Sequence, residues 1–158
     1  TDDLRMAAKY MIRILNEDLP QLLRMTGKCE FVVCAIPRSK AENTYINKQL
    51  LFKKAIQASV KDLNSFIDGT NYIVRHTDTR TTHMDKSGYG GEGNLPYPGI
   101  TKDTCTISDK VRGKDILLID DLYTASVNID EDAIQALFDN GARSVIFYSL
   151  GKTIRRTQ

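Results

Sequence analysis

The sequence has no tryptophan, only two histidines and only three cysteines among its 158 residues. The cysteines are odd in number, and none of their spacings is that of a pair of zinc ligands. His76 and His83 do not form a helical metal pair. These shortages argue against a zinc site. A cytoplasmic protein with reduced thiols is the simplest interpretation.

Long apolar runs and an excess of one charge are also missing. No apolar run is long enough to span a bilayer, and the polar first residues are unlike a signal peptide. The 22 basic and 20 acidic residues give a net charge of +2, which does not indicate nucleic-acid binding. The chain starts with Thr1 rather than Met, which suggests a fragment of a longer protein. The length and the hydrophobic fraction of 41% fit one domain, residues 1–158, with a real core.

The apolar patterns that are present alternate between strands and helices. Short continuous apolar runs are typical of strands buried in a parallel sheet, and spacings of three and four are typical of helices. Helices are predicted over residues 3–15, 46–67 and 127–140, with Gly69 and Gly141 closing the last two. Strands are predicted over residues 31–36, 71–75, 116–119 and 144–150. We therefore expect an α/β fold, with a mainly parallel sheet flanked by helices.

Residues 115–128 are the most informative part of the chain. An apolar strand leads into Asp120 and Asp121, a turn with hydroxyl and amide side chains follows, and a helix starts at once. The carboxylates can accept hydrogen bonds from ribose hydroxyls, and the N–H groups of the turn and the helix N-terminus can hold a phosphate. Ligands of parallel sheets bind outside the carboxyl ends of the strands. This arrangement suits a sugar phosphate.

The same stretch resembles the phosphoribosyl pyrophosphate (PRPP) motif of the type I phosphoribosyltransferases. That motif has a hydrophobic strand, two acids, two mostly apolar residues and a small loop, which match residues 116–119, Asp120, Asp121, Leu122, Tyr123 and Thr124. The resemblance implies that Asp120 and Asp121 are the catalytic pair and hold the ribose hydroxyls. It implies that the 5′-phosphate is held by Thr124, Ala125, Ser126, Val127 and Asn128. The family usually has Gly at position 126 and Thr or Ser at position 128.

Two further segments match the family in order and position. Its loop after the first strand contacts pyrophosphate, a role that falls here to Arg38, Ser39 and Lys40. Residues 38–49 are similar to the competence-protein branch of the amidophosphoribosyltransferase-like proteins. In the family, terminal segments form a hood that recognises the acceptor substrate. The helical residues 1–30 are the candidates for this hood here.

The third matching segment is residues 76–108, which show almost no apolar periodicity and are rich in Thr, Gly, Pro and Asp. Such long segments inside a compact domain are usually functional or disordered. Family members carry a flexible loop in this position, which closes over the site. The resemblance therefore implies that Arg80 and Lys86 reach the pyrophosphate and that Tyr89 approaches the ligand. The simpler alternative is that these side chains only keep an insertion soluble.

The reaction that the resemblance implies is transfer of the phosphoribosyl group between PRPP and a nitrogen nucleophile, with pyrophosphate exchange. Mg²⁺ is the implied cofactor, because it prefers phosphate and hydroxyl oxygens with few protein ligands. It would reach the protein through PRPP and water, with Asp120 bonding a metal-bound water. Dimers are common in the family, so the resemblance allows a homodimer. No pattern in these residues indicates one.

Three alternatives stay open at this point. Some family members bind PRPP or a nucleotide as a signal without catalysis, and Ser126 and Asn128 make that regulatory role more credible. A receiver-like protein also carries an acidic pair after a strand. It needs an acceptor Asp after another strand, where this chain has Pro37. In the plainest alternative, Asp120 and Asp121 only end a strand and cap a helix.

Overall fold

A four-stranded parallel sheet forms the centre of the fold. The computed structural model describes residues 2–46, 50–78, 99–124 and 129–154. In chain order the helices and strands are α1 (Asp2–Thr26), β1 (Phe31–Ala35), α2 (Leu51–Lys61), β2 (Phe66–Asp68), β3 (Ile73–Arg75), β4 (Cys105–Ile107), β5 (Asp115–Tyr123), α3 (Ile129–Asp139) and β6 (Ser144–Lys152). The sheet has the order β2-β1-β5-β6, and each neighbouring pair is parallel. The predicted α/β class with a mainly parallel sheet is confirmed.

The central strands β1 and β5 are buried on both faces. All of β1 and the first six residues of β5 are buried. Leu117 and Ile119 pack with side chains of α1 and α2, whereas Ile116 and Leu118 pack with side chains of α3, β3 and β4. Because both faces are covered, these strands appear in the sequence as continuous apolar runs rather than as alternating ones.

Helix α1 is longer than predicted. It was expected over residues 3–15, but it continues through Pro20 to Thr26. A proline inside a helix removes one backbone hydrogen bond. Leu15 and Leu19 are fully buried, and Leu22 and Leu23 continue their apolar stripe beyond the proline, so burial outweighs this cost. Although α1 has 25 residues, none of the described helices is long and apolar enough to cross a membrane.

The helix predicted over residues 46–67 is wrong at its C-terminal end. Helix α2 ends at Lys61, and Phe66–Asp68 forms the edge strand β2, which pairs with β1. Ser65, with φ of 69°, turns the chain between them. Gly69 therefore does not close a helix. Its N–H donates to the carbonyl of Val33 at 2.8 Å, and a Cβ at this position would lie 2.6 Å from Cγ1 of Val32.

The strand predicted over residues 71–75 is present as Ile73–Arg75, but it lies outside the main sheet. It pairs antiparallel with β4, so Cys105–Ile107 is a strand within the segment predicted to be one flexible loop. A strand of three residues is too short for its alternation to be recognised in sequence. Residues 79–98 of the same segment lie outside the described residues.

The C-terminal half follows the predictions closely. The strand expected over residues 116–119 extends in both directions to Asp115–Tyr123, and β6 runs two residues beyond the expected end, to Lys152. Helix α3 is described over Ile129–Asp139, inside the predicted range, and residues 127 and 128 of that range lie outside the described residues. Gly141 has a φ of 91° and ends α3, as its sequence position predicts.

At the amino edge of the sheet, Asp115 joins three segments of the chain. Its carboxylate is buried and accepts hydrogen bonds from Nζ of Lys28 at 3.2 Å, Nε of Arg143 at 3.1 Å and Oγ of Ser144 at 2.6 Å. These donors, Arg143 first, hold the pKa of Asp115 well below its usual range. The network therefore fixes the start of β5 against the starts of β1 and β6.

We expect Asp115→Asn to lower the free energy of unfolding at pH 7 by about 1–3 kcal/mol, because hydrogen bonds to a buried charge are lost. The folded-state pKa is depressed, so the carboxylate stabilises the wild type above its unfolded pKa of about 3.9 and less as the pH falls below it. Urea unfolding between neutral and acid pH should therefore show the two proteins converging on acidification. The exposed Asp103→Asn is the control, and a constant gap between wild type and Asp115→Asn at all pH values would contradict the assignment.

Candidate functional site

The predicted site lies at the carboxyl edge of the sheet, where β1 and β5 separate. The last hydrogen bond between them runs from the N–H of Ile36 to the carbonyl of Ile119, at 2.9 Å. Beyond Ile119, β5 continues beside β6 alone, and Asp120 pairs with Ser149. Asp120 and Asp121 thus lie within β5 and not after it, but they lie past the end of β1. The loop after β1 leaves the sheet beside them.

The two acids differ in their surroundings. Asp120 is buried and follows Leu118 on the face that packs against α3, whereas Asp121 is exposed and follows Ile119 on the opposite face. The Oδ1 of Asp120 accepts a hydrogen bond from the N–H of Asp121 at 2.8 Å. Burial and the neighbouring carboxyl of Asp130 raise the pKa of Asp120 well above its ordinary value.

Asp130, in the first turn of α3, is a site residue that the sequence interpretation missed. Only 1% of its surface is exposed, and neither carboxyl oxygen has a hydrogen-bond partner among the described residues. The Asp120 carboxyl group is its neighbour, and burial raises the pKa of Asp130. A signal was present in the sequence, because Asp130 lies three and seven residues before Ala133 and Leu137, on the apolar stripe of the helix.

The loop predicted to bind pyrophosphate forms an ordered turn beside this edge. The Arg38 guanidinium lies 5.0 Å from the centre of the Tyr45 ring, and the N–H of Lys40 donates to Oη of Tyr45 at 3.0 Å. The Nζ of Lys40 lies 4.0 Å from Oδ2 of Asp78. The cations of Arg38 and Lys40 are therefore on the expected side of the sheet and are positioned by contacts with Tyr45 and Asp78.

Arg75, at the end of β3, is the second site residue that was missed. It is 1% exposed, and it donates through Nε to the carbonyl of Arg38 at 2.7 Å and through Nη1 to the carbonyl of Gly99 at 3.0 Å. Its Nη2 has no partner among the described residues, and Arg75 lines a cavity together with Ile36 and Lys40. Burial lowers the pKa of Arg75. An arginine at a strand end is usually exposed, so no local pattern indicated this burial.

The other predicted residues are only partly visible. Oγ1 of Thr124 lies 2.9 Å from Oγ1 of Thr153, at the open end of β5 and β6. The remaining phosphate-binding and loop candidates lie outside the described residues; these are Ala125, Ser126, Val127, Asn128, Arg80, Lys86 and Tyr89. Asp120 and Asp121 thus lie at the same edge of the sheet as the start of the loop that carries Arg38, Ser39 and Lys40.

The donors at this edge fit a hard cation such as Mg²⁺. In the described ranges, no three His, Cys, Asp or Glu side chains are arranged to hold a metal ion. Asp120 and Asp130 provide two carboxyl groups, and the oxygens of Asp130 have no other partner there. Mg²⁺ keeps several waters and often binds through one or two carboxylates, so two protein ligands are sufficient.

Comparison with known proteins identifies no family. No protein-family model matches the chain, and no curated protein matches it in sequence.

We expect Arg75→Lys to lower the free energy of unfolding by about 1–3 kcal/mol, because lysine lacks the fork that reaches both carbonyls. The exposed Arg24→Lys, on α1, is the matched control and should unfold like the wild type. Urea denaturation measures both changes. Equal stability of Arg75→Lys and the wild type would show that the two hydrogen bonds of Arg75 do not hold the loops together.

Proposed function

We propose that the protein is a phosphoribosyltransferase with a type I phosphoribosyltransferase fold. It binds PRPP with Mg²⁺ and exchanges pyrophosphate for a nitrogen nucleophile at the ribose. One observation carries this proposal. Asp120 and Asp121 lie on β5 at the point where the loop of Arg38 and Lys40 leaves β1. Acids suited to ribose hydroxyls and cations suited to phosphate therefore lie at one edge of a parallel sheet, the edge where such sheets bind ligands, and this supports the proposal. We place this activity in the cytoplasm.

The charges along this edge are divided in a way that suits the two ends of PRPP. Acids cluster on β5 and at the start of α3, and the cations Arg38, Lys40 and Arg75 lie on the loop after β1 and at the end of β3. Carboxylates accept hydrogen bonds from ribose hydroxyls, and guanidinium groups donate to phosphate oxygens. The unpartnered Nη2 of Arg75 supports an anion on the cationic side.

The reaction requires the protein to position the substrates and to stabilise charge, and it does not require a nucleophilic side chain. As pyrophosphate leaves, positive charge develops at the ribose C1 and negative charge on the leaving group. The exposed carboxylate of Asp121 can stabilise the positive charge at C1. Arg38 and Lys40 can stabilise the negative charge on the leaving pyrophosphate. Bound Mg²⁺ would neutralise part of the pyrophosphate charge. Asp120 would orient the ribose from the buried side of β5.

Calorimetric titration with PRPP tests the acidic half of the site. We expect binding to need Mg²⁺ and to weaken more than about tenfold in Asp120→Asn/Asp121→Asn, since charge-assisted hydrogen bonds to the hydroxyls are lost. The matched control is Asp2→Asn/Asp3→Asn, which removes the same charge from an exposed part of α1 and should bind like the wild type.

The result also separates the enzyme from the regulatory alternative. No PRPP binding by the folded wild type, or equal losses in the two double variants, would overturn the proposal. Binding without pyrophosphate release in the presence of ammonia, amines and nucleobases would support a module that binds PRPP as a signal.

Pyrophosphate and ribose 5-phosphate can test the cationic half separately. We expect Arg38→Gln/Lys40→Gln to weaken pyrophosphate binding about tenfold or more, because two charged donors are removed. The affinity for ribose 5-phosphate should stay unchanged, because the proposed contacts of this ligand lie on the β5 side. Arg5→Gln/Lys9→Gln, on the exposed side of α1, is the control for net charge. If both ligands weaken equally, the loop after β1 is not a pyrophosphate subsite.

A further inference from the structure

Asp130 presents a physical problem that ribose binding does not solve. It is a buried carboxyl group with no hydrogen-bond donor among the described residues, and its nearest charged neighbours are other acids. Asp120 faces it, and Asp121 and Glu131 add to the negative potential. A buried carboxylate without a compensating group is strongly disfavoured, so either a proton or a cation must neutralise this pair.

No ion pair between described residues involves Asp120 or Asp130. In the part of the chain that the structure describes, the ion pairs of Lys28, Lys40, Lys53 and Arg143 are made with other acids. Lys152, at the open end of β6, lies 6.0 Å from the centre of the Tyr123 ring. The N-terminus of α3 contributes only a partial positive charge. The site therefore has the potential and the open oxygen atoms to take a cation from solution.

The donor atoms indicate the class of cation. Asp120 is held by the paired strand β5, and Asp130 by the first turn of α3, so the two carboxyl groups are presented by rigid elements. One oxygen of Asp120 is engaged by the N–H of Asp121, whereas both oxygens of Asp130 are unpartnered among the described residues. Two or three carboxylate oxygens completed by water suit a hard divalent cation better than a soft one.

We propose that Asp120 and Asp130 directly bind one divalent cation of the Mg²⁺ and Mn²⁺ class in the free protein. This differs from an ion that arrives with PRPP and contacts the protein only through water. The cation connects β5 to α3 across the site. The proposal does not depend on PRPP being the substrate, since the metal alone is the probe.

Titration of the metal-free protein with Mn²⁺, followed by electron paramagnetic resonance of the free ion, tests the proposal. We expect one site in the wild type, and Kd values at least about tenfold higher in Asp130→Asn and in Asp120→Asn, because each removes a charged ligand. Glu131→Gln is the matched control, since it removes the same charge one residue away from an exposed position. Its effect should be less than about threefold. Equal increases in Kd for Asp130→Asn and Glu131→Gln would indicate non-specific electrostatic attraction and overturn the proposal.

Two further measurements keep the proposal testable if a variant folds poorly. In the wild type alone, Mn²⁺ should broaden the amide NMR signals of residues 120, 121 and 129–132, relative to Mg²⁺. Broadening of other amide signals instead, or no broadening at all, would overturn the proposal. In thermal unfolding, Mn²⁺ should stabilise the wild type, whereas Asp130→Asn should be the more stable protein in EDTA. A wild type unaffected by Mn²⁺ would mean that the two carboxyl groups share a proton instead.

Discussion

The pairing of β1 with β5 is the constraint on which the rest of the structure depends. These strands are buried on both faces, and their register sets Val33 beside Leu117 and Ala35 beside Ile119. A slip of one residue would turn every side chain to the opposite face, so the two apolar clusters lock the register. The pairing stops after Ile36, and this stop separates the strands and opens the edge that carries Asp120. The position of the candidate site is thus a consequence of core packing.

The open edge holds two buried groups of opposite sign that lack full partners within the described residues. Asp130 lies on the α3 side, and the Nη2 of Arg75 lies on the side of the loop after β1. Each is unfavourable for folding by itself, because burial disfavours an unpartnered charged or polar group. The two do not compensate each other, since Arg75 is engaged with the carbonyls of Arg38 and Gly99. Each of the two proposals uses one of these groups: the divalent cation uses Asp130, and the pyrophosphate uses Arg75.

Local patterns in the sequence were sufficient for the parts of the fold that are determined locally. The buried strands were recognised because continuous apolar runs need burial on both faces, and Gly141 because a helix end favours a residue that accepts positive φ. Residues whose environment comes from distant segments could not be predicted. Leu15 and Leu19 hold α1 helical through Pro20 by contacts made in the folded protein, and Phe66 leaves the helical pattern because β1 offers it a partner. The burial of Arg75 likewise depends on two loops far apart in sequence.

Asp115 and Asp120 show most directly what distinguishes the two edges. They are on the same strand, five residues apart, and both are buried. Asp115 meets arginine, serine and lysine donors, and its pKa falls. Asp120 is buried beside a second carboxyl group, and its pKa rises. The amino edge is therefore built for stability, with a charge that is fully satisfied inside the protein. At the carboxyl edge, the carboxyl group of Asp130 has no hydrogen-bond partner among the described residues, and the proposed cation would use its oxygens. Perturbed pKa values of this kind cluster at functional sites, which supports the carboxyl edge as the candidate.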